Sequence, residues 1–129
     1  MLASWVMQAG FAPPAITVAV APGRDLLGAI GRGLPFVVNI LGESQRPLLA
    51  RFGRPAAPGE DPFAGLDVER ATGGAAALAT GAGWLECRCV GRVGGDATDH
   101  VVVLAEVIAA GNATAEPPLV HVRKNGLRY

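Results

Sequence analysis

Few residues in this chain have types and spacing that could do chemistry. Ser4 and Ser44 are its only serines and neither lies in a G-x-S-x-G elbow, so nucleophilic hydrolysis by serine has almost no candidate. Cys87, Cys89, His100 and His121 offer four metal-ligating side chains, but C-x-C on one strand lacks the C-x₂₋₄-C spacing of a zinc site, and no metal is expected. Glu60 and Asp61 are adjacent acids in a polar loop, the ordinary setting of solvated carboxylates, and receive no chemical role. No G-x-G-x-x-G follows a strand and no G-x-x-x-x-G-K-[ST] occurs, so a dinucleotide, if used, is not held by a βαβ phosphate loop. What remains is a polar cluster in an apolar run, A-S-W-V-M-Q-A-G-F-A-P-P from Ala3 to Pro14. It carries the Ser4 hydroxyl, the Trp5 indole, the Gln8 amide, main-chain N–H groups from Ala3 to Ala9, and Gly10, where a missing side chain lets a ligand reach the backbone. Two readings stay open for it: a cradle for a polar, planar ligand, or a barrel corner with nothing bound.

These residues must be positioned by strands. Ile16, Val18 and Val20 alternate with Thr17, Ala19 and Ala21, a period-two pattern whose faces are both apolar or small, and this buried strand meets the first run at a Pro13-Pro14 corner. After a turn at Ala21–Asp25, the spacing of Leu26, Leu27, Ala29 and Ile30 predicts a short helix with Asp25 as N-cap. Arg24 stands just ahead of it, as a solvated loop arginine or, with helix-start N–H groups, as a phosphate holder. Phe36–Leu41 reads as a central strand interrupted by Asn39, whose amide must be satisfied within the protein or by a ligand. A helix is expected from about Ser44 to Phe52, with Pro47 tolerated in its first turn and Gly53 ending it; Phe52 is core first and ligand wall second.

Residues 53–65 are loop by their Pro and Gly content, and 72–83, T-G-G-A-A-A-L-A-T-G-A-G, form a small, flexible connection that lies over a ligand or simply joins strands. Trp84–Val90 alternates, with Leu85, Cys87 and Cys89 on one face and Glu86 and Arg88 expected to pair on the exposed other one. The Gly94-Gly95-Asp96 turn returns the chain through a strand ending near Val107, giving a hairpin. A loop from Asn112 to Pro118 leads to a last short strand at Leu119–Arg123.

The totals bound the answer. At 129 residues the chain fits one domain, residues 1–129, since single cores commonly span roughly 100–150 residues. Half its residues are hydrophobic, but 18 Gly and 10 Pro break them into short runs, which favours strands and turns over long helices. No run reaches the ~20 apolar residues of a membrane span. Eleven basic and eleven acidic side chains cancel, so no nucleic-acid or membrane footprint is expected; a small neutral ligand or another protein is. Near-zero net charge also favours self-association. The start lacks the basic region and cleavage site of a signal peptide, and Cys87 and Cys89, two apart on one strand, cannot easily bridge, so a reducing cytoplasm is the expected compartment.

Five runs together resemble one family. S-W-V-M-Q-A-G-F-A-P-P, F-V-V-N-I-L, E-D-P-F-A-G-L-D, D-H-V-V-V-L-A-E-V and the closing R-K-N-G-L-R-Y are similar to the flavin reductase-like domains, above all to the version appended to flavodiiron proteins, over nearly the whole chain. The resemblance departs where Thr98 stands in place of the glycine expected before Asp99, and where Met7 and Gly10 replace hydroxyl-bearing residues.

The resemblance implies an all-β fold with short helices, a split β-barrel of the Greek-key, FMN-binding kind. Family members usually carry a further strand upstream, so either the natural start precedes Met1 or that strand is lacking, and an open sheet edge is expected near Ser4. It implies FMN as cofactor, with FAD as an alternative flavin, and NADH or NADPH as hydride donor. Ala3, Ser4 and Trp5 would serve the ring's carbonyls, and Gln8, Ala9 and Gly10 the ribityl and phosphate side, with Arg24 on the phosphate. Asn39 and Phe52 would lie near the ring, and His100 would shape the nicotinamide or ring face as the catalytic candidate. The expected protein is a homodimeric NAD(P)H:flavin oxidoreductase that passes electrons to a partner protein or acceptor. The alternatives are a non-catalytic flavin- or haem-binding split barrel and a purely structural domain.

Overall fold

The computed structural model of the chain describes residues 1–96, 98–112 and 114–120. In chain order its elements are β1 (Val6–Phe11), β2 (Pro14–Val20), α1 (Asp25–Gly31), β3 (Phe36–Ile40), α2 (Leu48–Gly53), β4 (Val68–Arg70), β5 (Ala76–Leu78), β6 (Gly83–Gly94) and β7 (Val101–Gly111). Alternation organises them. Ile16, Val18 and Val20 of β2 are buried and meet Val103 and Ala105 of β7, Cys87 of β6, Phe36 of β3 and Ile30 of α1 in one core. The register pairs Val18 with Val103 and Phe36 with Cys87, so the apolar side chains of four strands share one face, covered by Leu26 and Leu27 of α1.

The main sheet has five strands in the order β1-β2-β7-β6-β3, each pair antiparallel. It does not close, because among the described residues β1 and β3 are not joined; this is the all-β split barrel with short helices that the sequence implies. β1 is an edge strand, with Met7 69% and Phe11 85% exposed, so the open edge expected near Ser4 runs along β1. The corner holds a cis Ala12–Pro13 peptide. Gly10 serves this tight return directly, since a Cβ there would lie 3.1 Å from the Pro13 carbonyl oxygen.

Several expectations change in the structure. Asp25 is the first helical residue, and the N-cap position belongs to Arg24, whose backbone is extended and whose side chain makes no capping bond. The helix expected from Ser44 splits into a single 3₁₀ turn, Glu43–Gln45, and α2, with Pro47 between them because its ring removes an N–H donor from a continuous helix. Residues 72–83 are not an unstructured connection: they contain β5, which pairs with β4 as a separate two-stranded sheet. Glu86 is not on a wet face with Arg88. It is fully buried under the β4–β5 turn, while Arg88 pairs across the strands with Glu106 at 3.0 Å. Pro118 forms an isolated bridge with Gly42, Leu119 and Val120 carry no strand, and the remainder of the expected last strand, with His121 and the closing R-K-N-G-L-R-Y run, lies outside the described residues.

Cys87 gives the core a pH signature. Burial, reinforced by the neighbouring Glu86 carboxylate, pushes its thiol up to about 11 from an ordinary value of 9.0. Between those values the unfolded chain releases a proton that the folded chain keeps, so the stabilisation is complete below pH 9 and is lost as pH rises towards 11. The expected loss is about 1–3 kcal/mol. Urea titrations across that window should show a falling midpoint in the parent protein and a flatter line in Cys87→Ala.

Candidate functional site

Two cavities flank the segment that precedes β1. The larger, of about 650 Å³, is lined by Met1, Leu2, Ala3 and Val6, by Arg24, by Phe36–Asn39 of β3, by Arg51 and Phe52 of α2, and by Ala75, Ala76 and Leu78 at β5. The smaller, of about 180 Å³, is lined by Ser4, Trp5, Ala19, Ala21, Arg24 and His100. Met1, Leu2, Ala3 and Arg24 line both, so the N-terminal ribbon and this arginine form the partition between them. Cofactor-sized sites run to ~300–1,000 Å³, a range that admits the larger cavity and excludes the smaller one on its own.

The ribbon is tethered rather than paired. The Ala19 N–H donates to the Trp5 carbonyl at 3.0 Å, and β1 proper starts one residue later. Among the described residues no hydrogen bond engages the N–H of Ala3, Ser4 or Trp5. Backbone donors left free beside a cavity are what a ligand rich in carbonyl oxygens requires. Gln8, Ala9 and Gly10 are placed differently. Gln8 and Gly10 stand in register with Ile16 and Ala15 of β2, Ala9 is the extra residue of a bulge between them, and none of the three lines either cavity.

His100 and Trp5 come together at the smaller cavity, their ring centroids 4.9 Å apart and tilted by 49°. His100 Nδ1 lies 3.1 Å from the Asp99 carboxylate but out of hydrogen-bond alignment, and it is a buried nitrogen without a hydrogen-bond partner among the described residues. The loop that carries it is set by Thr98, whose hydroxyl donates to the His100 carbonyl at 2.5 Å. The residue standing in the expected glycine position therefore supplies its own anchor for the histidine. Gly94, at φ +95°, makes room for that arrangement, since a Cβ there would meet the same carbonyl oxygen at 2.7 Å.

Asn39 lines the larger cavity, but its amide is spent inside the protein. Its Oδ1 accepts the Leu78 N–H at 2.7 Å and its Nδ2 donates to the Ala76 carbonyl at 3.3 Å, clasping β5 against β3. Phe52 faces the larger cavity and packs on Phe63, with ring centroids 5.2 Å apart. Sequence reasoning assigned no site role to Phe63, Arg51 or Arg54, all of which line that cavity. Arg51 donates to the Ala64 carbonyl at 2.5 Å, and Arg54 pairs with Glu60. The Arg54 guanidinium and the Ala57 N–H hold the Glu60 carboxyl down to about 2 from its ordinary 4.5. Asp61 accepts the Phe63 N–H at 2.9 Å, so both acids of this loop shape it and deliver Phe63 to the wall. The only sequence signal for that was the D-P-F-A-G run itself.

An unclosed antiparallel barrel with an N-terminal ribbon between two cavities defines the class: a split barrel of the flavin reductase type. The flavin reductase like domain family matches residues 1–127, and the chain belongs to that family. Two diflavin flavoprotein relatives from Synechocystis sp. cover all of the chain at 40% identity: a putative diflavin flavoprotein A 3, over 130 residues, and diflavin flavoprotein A 1, over 131 residues. The chain spans 21% and 22% of their respective lengths. Among solved structures, an NADH:FAD oxidoreductase of Streptomyces globisporus C-1027 superposes with a TM-score of 0.79 at 25% identity, over 90% of this chain and 68% of that one. The styrene monooxygenase flavin reductase of Pseudomonas putida S12 does so with a TM-score of 0.71 at 28% identity, over 90% of this chain and 70% of that one. Among the described residues no helix is long and apolar enough to cross a membrane.

Proposed function

We propose that this domain binds FMN and works as an NAD(P)H:flavin oxidoreductase, with FAD as the other flavin its site admits. The observation that carries the proposal is the row of unengaged N–H groups from Ala3 to Trp5 on the ribbon between the two cavities, with Ala3 on the cavity of about 650 Å³ and Ser4 and Trp5 on the smaller one beside it. Flavin, when bound, supplies acceptance of a hydride from the nicotinamide. This chain's own residues bind and orient. Ala3, Ser4 and Trp5 donate main-chain N–H groups to ring oxygens, Arg24 at the shared wall takes the phosphate, and Phe52 with Phe63 closes one side against water. His100, packed at a tilt against Trp5 with a buried nitrogen lacking a partner among the described residues, shapes the face where the nicotinamide approaches. Gln8, Ala9 and Gly10 belong to the β1 edge and lie away from both cavities.

Relatives bearing the name diflavin flavoprotein supply the reading of an acceptor: electrons leave to a further domain or partner protein. The assembly we propose is a homodimer joined through the bare outer face of β1, β2, β6 and β7. The compartment we propose is the cytoplasm, in keeping with free Cys87 and Cys89.

An absorbance titration with FMN followed by NADH and NADPH tests the proposal. Flavin bound and reduced by a nicotinamide is the expected result, and protein that takes up no flavin overturns it. Flavin or haem bound without nicotinamide oxidation selects the non-catalytic alternative. Arg24→Ala should weaken FMN about 10- to 100-fold through loss of a charge-assisted contact, with little change in riboflavin binding. His100→Ala should slow NAD(P)H oxidation about tenfold or more through misplacement of the donor, while flavin affinity changes far less.

A further inference from the structure

Glu86 is the one charged side chain buried among the described residues, and it has no exposed surface. Its partner is not a cation. One carboxylate oxygen accepts the Gly73 N–H at 2.6 Å and the other accepts the Thr72 N–H at 3.2 Å. Carboxylate bonds to main-chain donors are among the strong ones, and burial raises the cost of leaving them unmade. Both donors sit in the turn between β4 and β5. The turn is pressed close enough that a Cβ on Gly73 would meet Pro35 Cγ at 2.1 Å and the Glu86 carboxylate at 2.9 Å.

That hairpin does not hold its own position. Its strands have three residues each, and a lone two-stranded sheet of this size is marginal in water. Side chains of the main sheet fix it. Asn39 clasps β5, and Glu69 of β4 receives the Trp84 indole N–H and the Asn112 amide, each at 2.6 Å. The residues leaving the turn, Ala75, Ala76 and Leu78, are a wall of the 650 Å³ cavity. Val37, the cross-strand partner of Glu86, lines the same cavity from β3.

We propose that Glu86 is a positioning residue of the flavin cavity, fixing the β4–β5 hairpin as its wall through the Thr72 and Gly73 N–H groups without touching the ligand itself. The inference rests on the reading of that cavity as the flavin site. Glu86→Gln keeps the volume but sets an amide NH₂ against a main-chain N–H. FMN should then bind tenfold or more weaker, and NADH turnover at saturating FMN should stay within threefold, a split in KM and not kcat.

Gly73→Ala disturbs the same contact from the other side and also presses on Pro35 in the cavity wall, so it should weaken FMN at least as much. In the double variant the loss of affinity should fall short of the product of the two single losses, because the Glu86 contact they share can be broken only once. A merely structural role predicts additive losses of stability and a folded fraction that binds FMN as the parent does. Parent-like affinity in folded Glu86→Gln, or additive losses of affinity in the double variant, overturns the proposal. If Glu86→Gln does not fold, Gly73→Ala decides alone, with parent-like FMN affinity as the overturning result. Parent protein that binds no flavin sinks the reading of the site, whereas parent binding matched by both variants sinks only the role of Glu86.

Discussion

Asn39→Leu is expected to destabilise the domain by about 2–4 kcal/mol and to weaken the flavin binding proposed for it tenfold or more. The substitution keeps the side chain's bulk and removes both polar arms, leaving the Leu78 N–H and the Ala76 carbonyl without their partner. Each unpaired group in a part-buried setting costs about 1–3 kcal/mol. Leu78 is itself buried, so water cannot readily replace the lost bond to its N–H. The melting temperature should fall by about 10 °C, the scale expected for a few kcal/mol in a domain of this length. Asn39→Asp sharpens the test. It keeps an acceptor for Leu78 but faces the Ala76 carbonyl with an oxygen, so its cost should lie between those of the parent and the leucine variant. Calorimetry and FMN titration read both effects, and an unchanged melting temperature in Asn39→Leu would show that β5 is held by other means.

The same clasp explains what the sequence disclosed and what it did not. β2, β3 and the β6–β7 hairpin were legible because their side chains alternate and their turns carry glycine, local signals that need no knowledge of the rest of the chain. β4 and β5 were illegible because three-residue strands among glycine and alanine have almost no periodicity. What makes them strands is long-range: Asn39 and Glu86, respectively 37–39 and 13–14 residues from the groups they bind. The alternation in β6 placed Glu86 opposite Cys87, which is right, but alternation cannot say whether the second face meets water or another element. Here the β4–β5 turn covers it at Glu86 and leaves it bare at Arg88.

The site was legible in parts for the same reason. Resemblance named Trp5 and His100 separately, and only the fold brings their rings to 4.9 Å. It also grouped Ser4 with Gln8 to Gly10 as one ligand-facing ribbon, whereas pairing with β2 commits Gln8 and Gly10 to a ladder and leaves the preceding residues free. Where a strand begins is a tertiary fact, and here it decides which amides a ligand can reach.

In the homodimer proposed above, Leu104→Arg is expected to separate the subunits without unfolding them. The register places Thr17 against Leu104, Ala19 against Val102, Val93 against Val102 and Met7 against Thr17, so Met7, Val93, Val102 and Leu104 share the outer face of four strands. All four are exposed, and nothing else in the described chain covers them. A stable interface takes about a tenth of a small protein's surface from each partner, which for the 8418 Å² of this chain is about 800 Å². Pairing of this face with its copy would bury the introduced guanidinium in an apolar contact without a partner charge. The dimer dissociation constant should rise 100-fold or more, read by sedimentation at micromolar concentrations, with the melting transition still cooperative. The core cannot account for such a change, because Val103 and Ala105, the neighbours of Leu104 in β7, point inward and remain packed. Leu104→Ala, which trims the contact without adding charge, should weaken association by a smaller factor. Parent protein that sediments as a monomer at these concentrations would leave the outer face to some other partner and remove the homodimer.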